Sequence, residues 1–228
     1  MTQGVLPSIH REGWKFIGIF AVATLFLFAF KYEMGLLGVV LTAWCAYFFR
    51  DPERLTPTRE GLIISPADGI VSAVIEATPP AELELEGEGW TRVSIFLNVF
   101  NVHVNRIPLA GKIIKSIYHP GKFINASLDK ASEHNERQSL IVEADKGLKI
   151  AFVQIAGLIA RRIVCDVNVD QTVQTGERYG IIRFGSRADV YLPKGVSPLV
   201  VEGQTMVGGE TILADLASKE STRSAEIR

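Results

Sequence analysis

The sequence predicts a mainly β domain, of sandwich or barrel type, carried behind an N-terminal α-helical membrane hairpin. Three observations carry this. Apolar residues concentrate between Trp14 and Phe49, in two runs parted only by Lys31, Tyr32 and Glu33. From about Leu62 onward the chain turns to short Val-, Ile- and Phe-rich runs broken by Gly, Pro and Asp, the composition of a half-buried pleated surface. Turn signals then recur about every eight to twelve residues, the rhythm of a sandwich or barrel.

The hairpin comes first. Phe16–Phe30 is 15 residues without a charge, and Met34–Phe49 adds 16 more. Each half, if helical, is roughly 23 Å long at about 1.5 Å per residue, short of a hydrocarbon core about 30 Å thick. A tight hairpin that dips into or just crosses the bilayer fits these lengths. A cleaved signal peptide fits poorly, because a second apolar block follows directly and no small-residue cleavage site intervenes. A buried soluble helix should show a polar face, and Phe16–Phe30 shows none. Arg11 and Lys15 precede the segment, and Arg50 and Arg54 follow it. Basic flanks keep both ends in the cytoplasm, with Lys31 and Glu33 snorkelling to the far interface. The expectation is a cell-membrane protein with its soluble domain on the cytoplasmic face. Trp14, Trp44 and Tyr47 suit interfacial anchors. The division is residues 1–55 as hairpin, 56–217 as β-rich domain and 218–228 as a flexible tail.

Strands are expected near Gly69–Glu76, Arg92–Asn98, Gly111–Tyr118, Ser139–Glu143, Lys149–Ile155, Arg162–Asp166, Gly180–Phe184, Ala188–Leu192, Pro198–Val201 and Thr211–Leu213. Pro79–Gly89, rich in Pro and Glu, reads as a solvated loop, and polar Phe123–Arg137 as a loop with a short helix. With 24 basic and 25 acidic residues the net charge is -1, and no sustained basic stripe suggests nucleic acid. Cys45 lies in the apolar run, far from Cys165, so both read as buried thiols rather than a disulfide. The four histidines, His10, His103, His119 and His134, show no paired metal-ligand spacing, so no metal is expected.

Four segments carry chemistry. Gly185-Ser186 falls between two expected strands. Such a pair is ordinarily a turn, but it also suits self-cleavage: glycine permits unusual backbone angles, so its carbonyl can be presented to the Ser186 hydroxyl. Attack converts the amide to an ester, loss of the serine α-proton eliminates it, and hydrolysis leaves a pyruvoyl group. Ser65-Pro-Ala-Asp-Gly69 precedes a strand. Asp-Gly makes turns, and Asp68 could also orient a histidine. In Asn98-Val-Phe-Asn-Val-His-Val-Asn-Arg-Ile-Pro108, His103 sits between valines, as many structural histidines do, yet Asn98, Asn101, Asn105 and Arg106 crowd directional polar groups around it. Tyr118-His-Pro-Gly-Lys-Phe123 with Asn135-Glu-Arg137 reads as a turn and charged loop, or as a lid bringing Lys122 or Arg137 to an anion.

Together with Phe48-Phe-Arg-Asp-Pro-Glu-Arg54 and Phe184-Gly-Ser-Arg-Ala-Asp-Val-Tyr-Leu-Pro193, these segments in this order resemble the short bacterial and archaeal form of phosphatidylserine decarboxylase, from about His10 to Ala214. Singly the motifs are weak; as a set they are specific. The resemblance implies a proenzyme that splits into a β chain, residues 1–185, and an α chain, residues 186–228, which stay together as a heterodimer compatible with a higher oligomer. It implies a covalent pyruvoyl cofactor made from Ser186, phosphatidylserine in the membrane as substrate, and phosphatidylethanolamine and CO2 as products. The family's Asp–His–Ser set falls on Asp68, His103 and Ser186. Longer members carry two histidines three apart in the third motif; here the second position is Arg106, so His103 serves both steps or His119 contributes. Arg106, Lys122 and Arg137 are candidates for the lipid phosphate. Competing readings are a pyruvoyl decarboxylase of a soluble amino acid, against which the hairpin argues; a membrane-tethered carrier domain, against which Met206-Val207 stands where a modified Met-Lys turn belongs; and a metallohydrolase.

Overall fold

A computed structural model describes residues 7–121, 135–157, 162–183 and 186–227. The chain opens with α1 (Trp14–Phe30) and α2 (Tyr32–Phe48), 17 residues each. Only Lys31, extended at φ −160°, separates them. Helix α2 starts earlier than the apolar run does, because Tyr32 and Glu33 are polar but not helix-breaking, and Glu33 sits in the first turn, where a carboxylate complements the helix dipole. The helices touch through small residues: a Cβ on Gly38 would lie 2.7 Å from Thr24 Oγ1. The Thr24 and Thr42 hydroxyl oxygens lie 3.0 Å apart, and each lies 2.8 Å from a carbonyl one turn back in its own helix, so one hydroxyl donates to its carbonyl while accepting from the other. Gly38→Leu is expected to wedge the pair apart at about 1–3 kcal/mol, read as a lowered Tm in detergent. Their outer faces are bare, with Leu25 70% and Phe30 83% exposed. Arg11–Phe30 is long and apolar enough to cross a membrane.

Strands β1 (Ser8–Ile9) and β2 (Arg50–Asp51) pair and tie the hairpin's two ends together. The soluble part holds β3 (Leu62–Ile64), β4 (Gly69–Glu76), β5 (Thr91–Leu97), β6 (Val104–Arg106), β7 (Gly111–His119), β8 (Arg137–Glu143), β9 (Lys149–Ala156) and β10 (Arg162–Cys165). After these come β11 (Thr172–Val173), β12 (Arg178–Arg183), β13 (Ser186–Leu192), β14 (Thr205–Met206) and β15 (Ile212–Asp215). An eight-stranded antiparallel sheet runs β11-β7-β8-β9-β13-β5-β4-β14, a three-stranded one runs β10-β12-β6, and β15 pairs with β3. Alternation sends Val93, Ile95, Leu97, Ala188, Val190 and Phe152 into one core. Tyr179 of β12 meets Phe152 of β9 edge-on at 5.1 Å, joining the two sheets. The mainly β expectation holds. Pro198–Val201 is not a strand; only an isolated bridge, Pro198 to Ala214, forms there. β6 was hidden from pattern reading because two of its three buried residues, Asn105 and Arg106, are polar.

The opposite face of the central strands is also covered. Pro79–Gly89 departs from the solvated-loop expectation: a 3-10 turn, Ala81–Leu83, buries Leu83 against Ile141, Val153 and Tyr191. One leucine among glutamates leaves no periodicity to read. Glu82 accepts from Arg137 Nε at 2.7 Å and from Ser139 Oγ at 3.0 Å. Arg137 therefore opens β8 rather than ending a loop. Burial works to raise the Glu82 carboxyl, but the Arg137 bond and charge outweigh it and hold it at about 2. Its folded value lies below its unfolded one, so the stability it contributes is present above the ordinary carboxylate range and is lost as pH falls toward 2. Glu82→Gln is expected to cost about 1–3 kcal/mol in urea titrations at pH 7 and less at pH 3.

Candidate active site

Strand register gathers two connections at one end of the sheets. Ser186, first residue of β13, lies opposite Leu97 of β5 and Ala156 of β9. From Leu97 the chain turns and returns as β6, whose Val104 lies opposite Ile181 of β12. The Ile182 amide donates to the His103 carbonyl at 3.3 Å. β12 in turn leads into β13. The approach to His103 and the approach to Ser186 are thus neighbours. Both side chains are fully buried, and neither Ser186 Oγ nor His103 Nε2 has a hydrogen-bond partner among the described residues. Unpartnered buried polar atoms are uncommon and call for an explanation.

The Asn-rich segment sets the histidine's tautomer. The Asn98 amide donates to Asn101 Oδ1 and the Phe100 amide to Asn98 Oδ1, both at 2.8 Å, which locks the turn. The turn presents the Asn101 carbonyl 3.0 Å from His103 Nδ1. A carbonyl only accepts, so Nδ1 carries the proton and Nε2 carries the lone pair. The ring packs on Phe48, centroids 4.1 Å apart. Burial, helped by the Arg50 charge and opposed by the Asn101 bond, pushes His103 down to about 3. It is a neutral base at pH 7.

The run Phe48–Arg54 wires the hairpin into this site. Phe48 and Phe49 pack with Val102, Val104 and Ile181. Arg50 donates to the Phe100 carbonyl at 2.7 Å, pinning the Asn turn. Asp51 accepts from Arg178, and the Pro52 carbonyl from Arg106 Nη2 at 2.8 Å. Arg54 Nη2 reaches both Asp68 oxygens, at 2.9 and 2.8 Å. Asp68 also accepts from the Gly208 amide at 2.8 Å. The Asp68 bonds go to Arg54 and Gly208, and the group orienting His103 is the Asn101 carbonyl. The loop bearing Asp68 still abuts the histidine strand, since the Arg106 amide donates to the Pro66 carbonyl at 2.8 Å. Gly69 is required there by close approach: a Cβ would stand 2.3 Å from the Phe96 carbonyl oxygen.

Of the other expected residues, Gly185 and Lys122 lie outside the described residues. The Arg106 guanidinium serves the Gly176 and Pro52 carbonyls beside Asp51, and that of Arg137 serves Glu82. His119 is exposed, opposite Arg137 on β7. Sequence reasoning missed the Asn101 carbonyl, the Phe48 ring and Gln154, which bonds Asn105 across the sheets. A spacing of two between Asn101 and His103 was the legible signal for the first.

An antiparallel β protein that buries an unpartnered serine and a histidine stacked on the end of an apolar helical hairpin defines the class: a hairpin-bearing β protein with buried, unpartnered polar groups in its core. A family model described as phosphatidylserine decarboxylase matches residues 41–214. Proteins named phosphatidylserine decarboxylase proenzyme are similar over nearly the whole chain. That of Ruegeria pomeroyi is 60% identical over 95% of this chain and 99% of its own. Those of Cereibacter sphaeroides and Rickettsia akari are 58% identical over 100% and 98%, and 61% identical over 93% and 92%. The chain belongs to the phosphatidylserine decarboxylase family.

Proposed function

We propose that this chain is a proenzyme that cleaves itself between Gly185 and Ser186 and then decarboxylates phosphatidylserine to phosphatidylethanolamine at a membrane. The observation that carries the proposal is that Ser186 Oγ, at the start of β13, and His103 Nε2, just before β6, are both buried without a hydrogen-bond partner among the described residues. His103 Nε2 takes the Ser186 hydroxyl proton as Oγ bonds to the Gly185 carbonyl carbon. The Gly185–Ser186 C–N bond breaks, the proton passes to the freed Ser186 amine, and an ester links the two residues. Removal of the Ser186 α-proton breaks the Cβ–Oγ bond and releases the Gly185 carboxylate. Tautomerisation, addition of water and loss of ammonia leave a pyruvoyl group at position 186.

Residues here fit that group. Oγ has no structural partner to lose, and β13 is held on both sides by β5 and β9, so the new chain end stays in place after the cut. The pyruvoyl group supplies an electron sink for loss of CO2. His103 is the group placed to hold and return a proton beside it, in surroundings that exclude water. Asp68 is a positioning carboxylate, anchoring the 65–69 turn through Arg54 and Gly208 against β6. Arg106, Lys122 and Arg137 remain candidates for the lipid phosphate, each at a cost to the bonds it now makes in the case of the two described. The helical hairpin holds the domain at the bilayer, with basic flanks keeping it on the cytoplasmic face.

Mass spectrometry tests this directly: two chains, residues 1–185 and 186–228, the second blocked by pyruvoyl, with CO2 released from phosphatidylserine vesicles and not from free serine. An intact chain that still decarboxylates the lipid sinks the proposal. A pH effect follows as well. His103 is lowered to about 3, so its basic form persists well below the ordinary histidine range of about 6.5. Self-cleavage is expected to run without an inflection near pH 6.5. Over the same window the unfolded chain binds the extra proton, so folding stability falls as pH drops from about 6.5 toward 3. Cleavage time courses and denaturant titrations at each pH check the two signs.

A further inference from the structure

Asn105 on β6 and Gln154 on β9 meet across the two sheets, both fully buried, with Gln154 Nε2 donating to Asn105 Oδ1 at 2.8 Å. Each keeps a second polar atom with no partner among the described residues: Asn105 Nδ2 and Gln154 Oε1. An unpaired buried donor or acceptor destabilises the fold, a standing cost that a purely structural pair would avoid. The result does not depend on which way the amides are turned. Exchanging O and N in both keeps the bond and still leaves one N–H group and one carbonyl oxygen on offer.

Their location is set by register. Gln154 lies opposite Ala188, and Ala156 opposite Ser186. Opposed residues of an antiparallel pair share a face, as do positions two apart on one strand. Gln154 is therefore the diagonal neighbour of Ser186, about 7–8 Å away between backbones, and the intervening positions carry only the methyl groups of Ala188 and Ala156. Asn105 lies two residues from His103. The spare donor and acceptor thus lie on the Ser186 face of the sheet and close in sequence to His103, and bond to neither.

We propose that Asn105 and Gln154 form the subsite that reads the amino-acid head of the substrate, the N–H donating to its carboxylate and the carbonyl accepting from its amine nitrogen. This rests on the decarboxylase reading above. Neutral amides suit the reaction better than a guanidinium would. The carboxylate enters charged and leaves as neutral CO2, so a full positive charge would favour the ground state over the transition state. A head with an amine and no carboxylate satisfies only half of the pair.

The test is capture of lipid amine at the pyruvoyl end by cyanoborohydride, read as total adduct by mass spectrometry on the 186–228 chain. Vesicles of phosphatidylserine are compared with vesicles of phosphatidylethanolamine, which has the amine without the carboxylate. Of the cut Asn105→Leu and Gln154→Leu variants, the one that loses the N–H to the carboxylate is expected to lower the serine-lipid to ethanolamine-lipid capture ratio about 10- to 100-fold, and the one that loses the carbonyl is expected to lower capture of both lipids. A ratio unchanged in both variants overturns the subsite. If the leucine variants stay uncut, the isosteric Gln154→Glu decides: it sets a carboxylate against the substrate's own and should lower the ratio, and an uncut Glu chain assigns the pair to folding and overturns the proposal. Wild-type protein that captures neither lipid overturns the decarboxylase reading itself.

Discussion

Ser186→Ala yields one uncut chain that folds as the proenzyme does and has no decarboxylase activity. The expected effect on maturation is complete, because no other atom can supply the ester oxygen. The expected effect on stability is small. Ser186 Oγ is buried without a partner, so removing it relieves an unsatisfied polar atom instead of breaking a bond. β13 keeps its ladders to β5 and β9. Intact mass and a thermal melt, run together, separate this from misfolding. A Ser186→Ala chain that appears as two fragments would place the nucleophile elsewhere, and one that aggregates would make the side chain structural.

His103→Phe has the second large effect. Phenylalanine retains the stack on Phe48 and fills the buried space, but it removes the base at Nε2 and the donor to the Asn101 carbonyl. General-base catalysis contributes about 10²–10⁴-fold, so cleavage should slow by that order, over hours to days if the wild type matures in minutes. The accumulated proenzyme should remain folded, at a cost of about 1–3 kcal/mol for the orphaned Asn101 carbonyl. His103→Ala adds a cavity beside Phe48 and should be less stable than His103→Phe while cleaving no faster. Cleavage at wild-type rate in His103→Phe would transfer the base role to another group.

Much of the fold could be read from the chain because alternation is a local property. Strands such as Gly69–Glu76 and Lys149–Ala156 emerge within a residue of where Val, Ile and Phe alternate. Failures cluster where burial and polarity coincide. β6 is buried yet carries Asn105 and Arg106, and the Leu83 turn is one apolar residue amid glutamates. Both owe their burial to distant partners, Gln154 and the outer face of β8, β9 and β13. The site divides similarly. As candidates, Ser186, His103 and Asp68 were legible because their neighbours in sequence are unusual for plain strands and turns. The partners of Asp68 were not, since Arg54 and Gly208 lie 14 and 140 residues away.

By itself the sequence determined the class: an apolar hairpin, a β domain, and a Gly-Ser junction with one histidine in its motif. These depend on residue type and on spacing along the chain. Only the tertiary structure decided that His103 is neutral, with its proton on Nδ1, that the end of the hairpin is the surface it stacks on, and that Asn105 and Gln154 hold a spare donor and acceptor on the Ser186 face of the sheet. Those properties come from desolvation and from contacts across sheets. They exist only once β6, β9, β12 and β13 are brought together, because burial and hydrogen-bond pairing are set by neighbours in space.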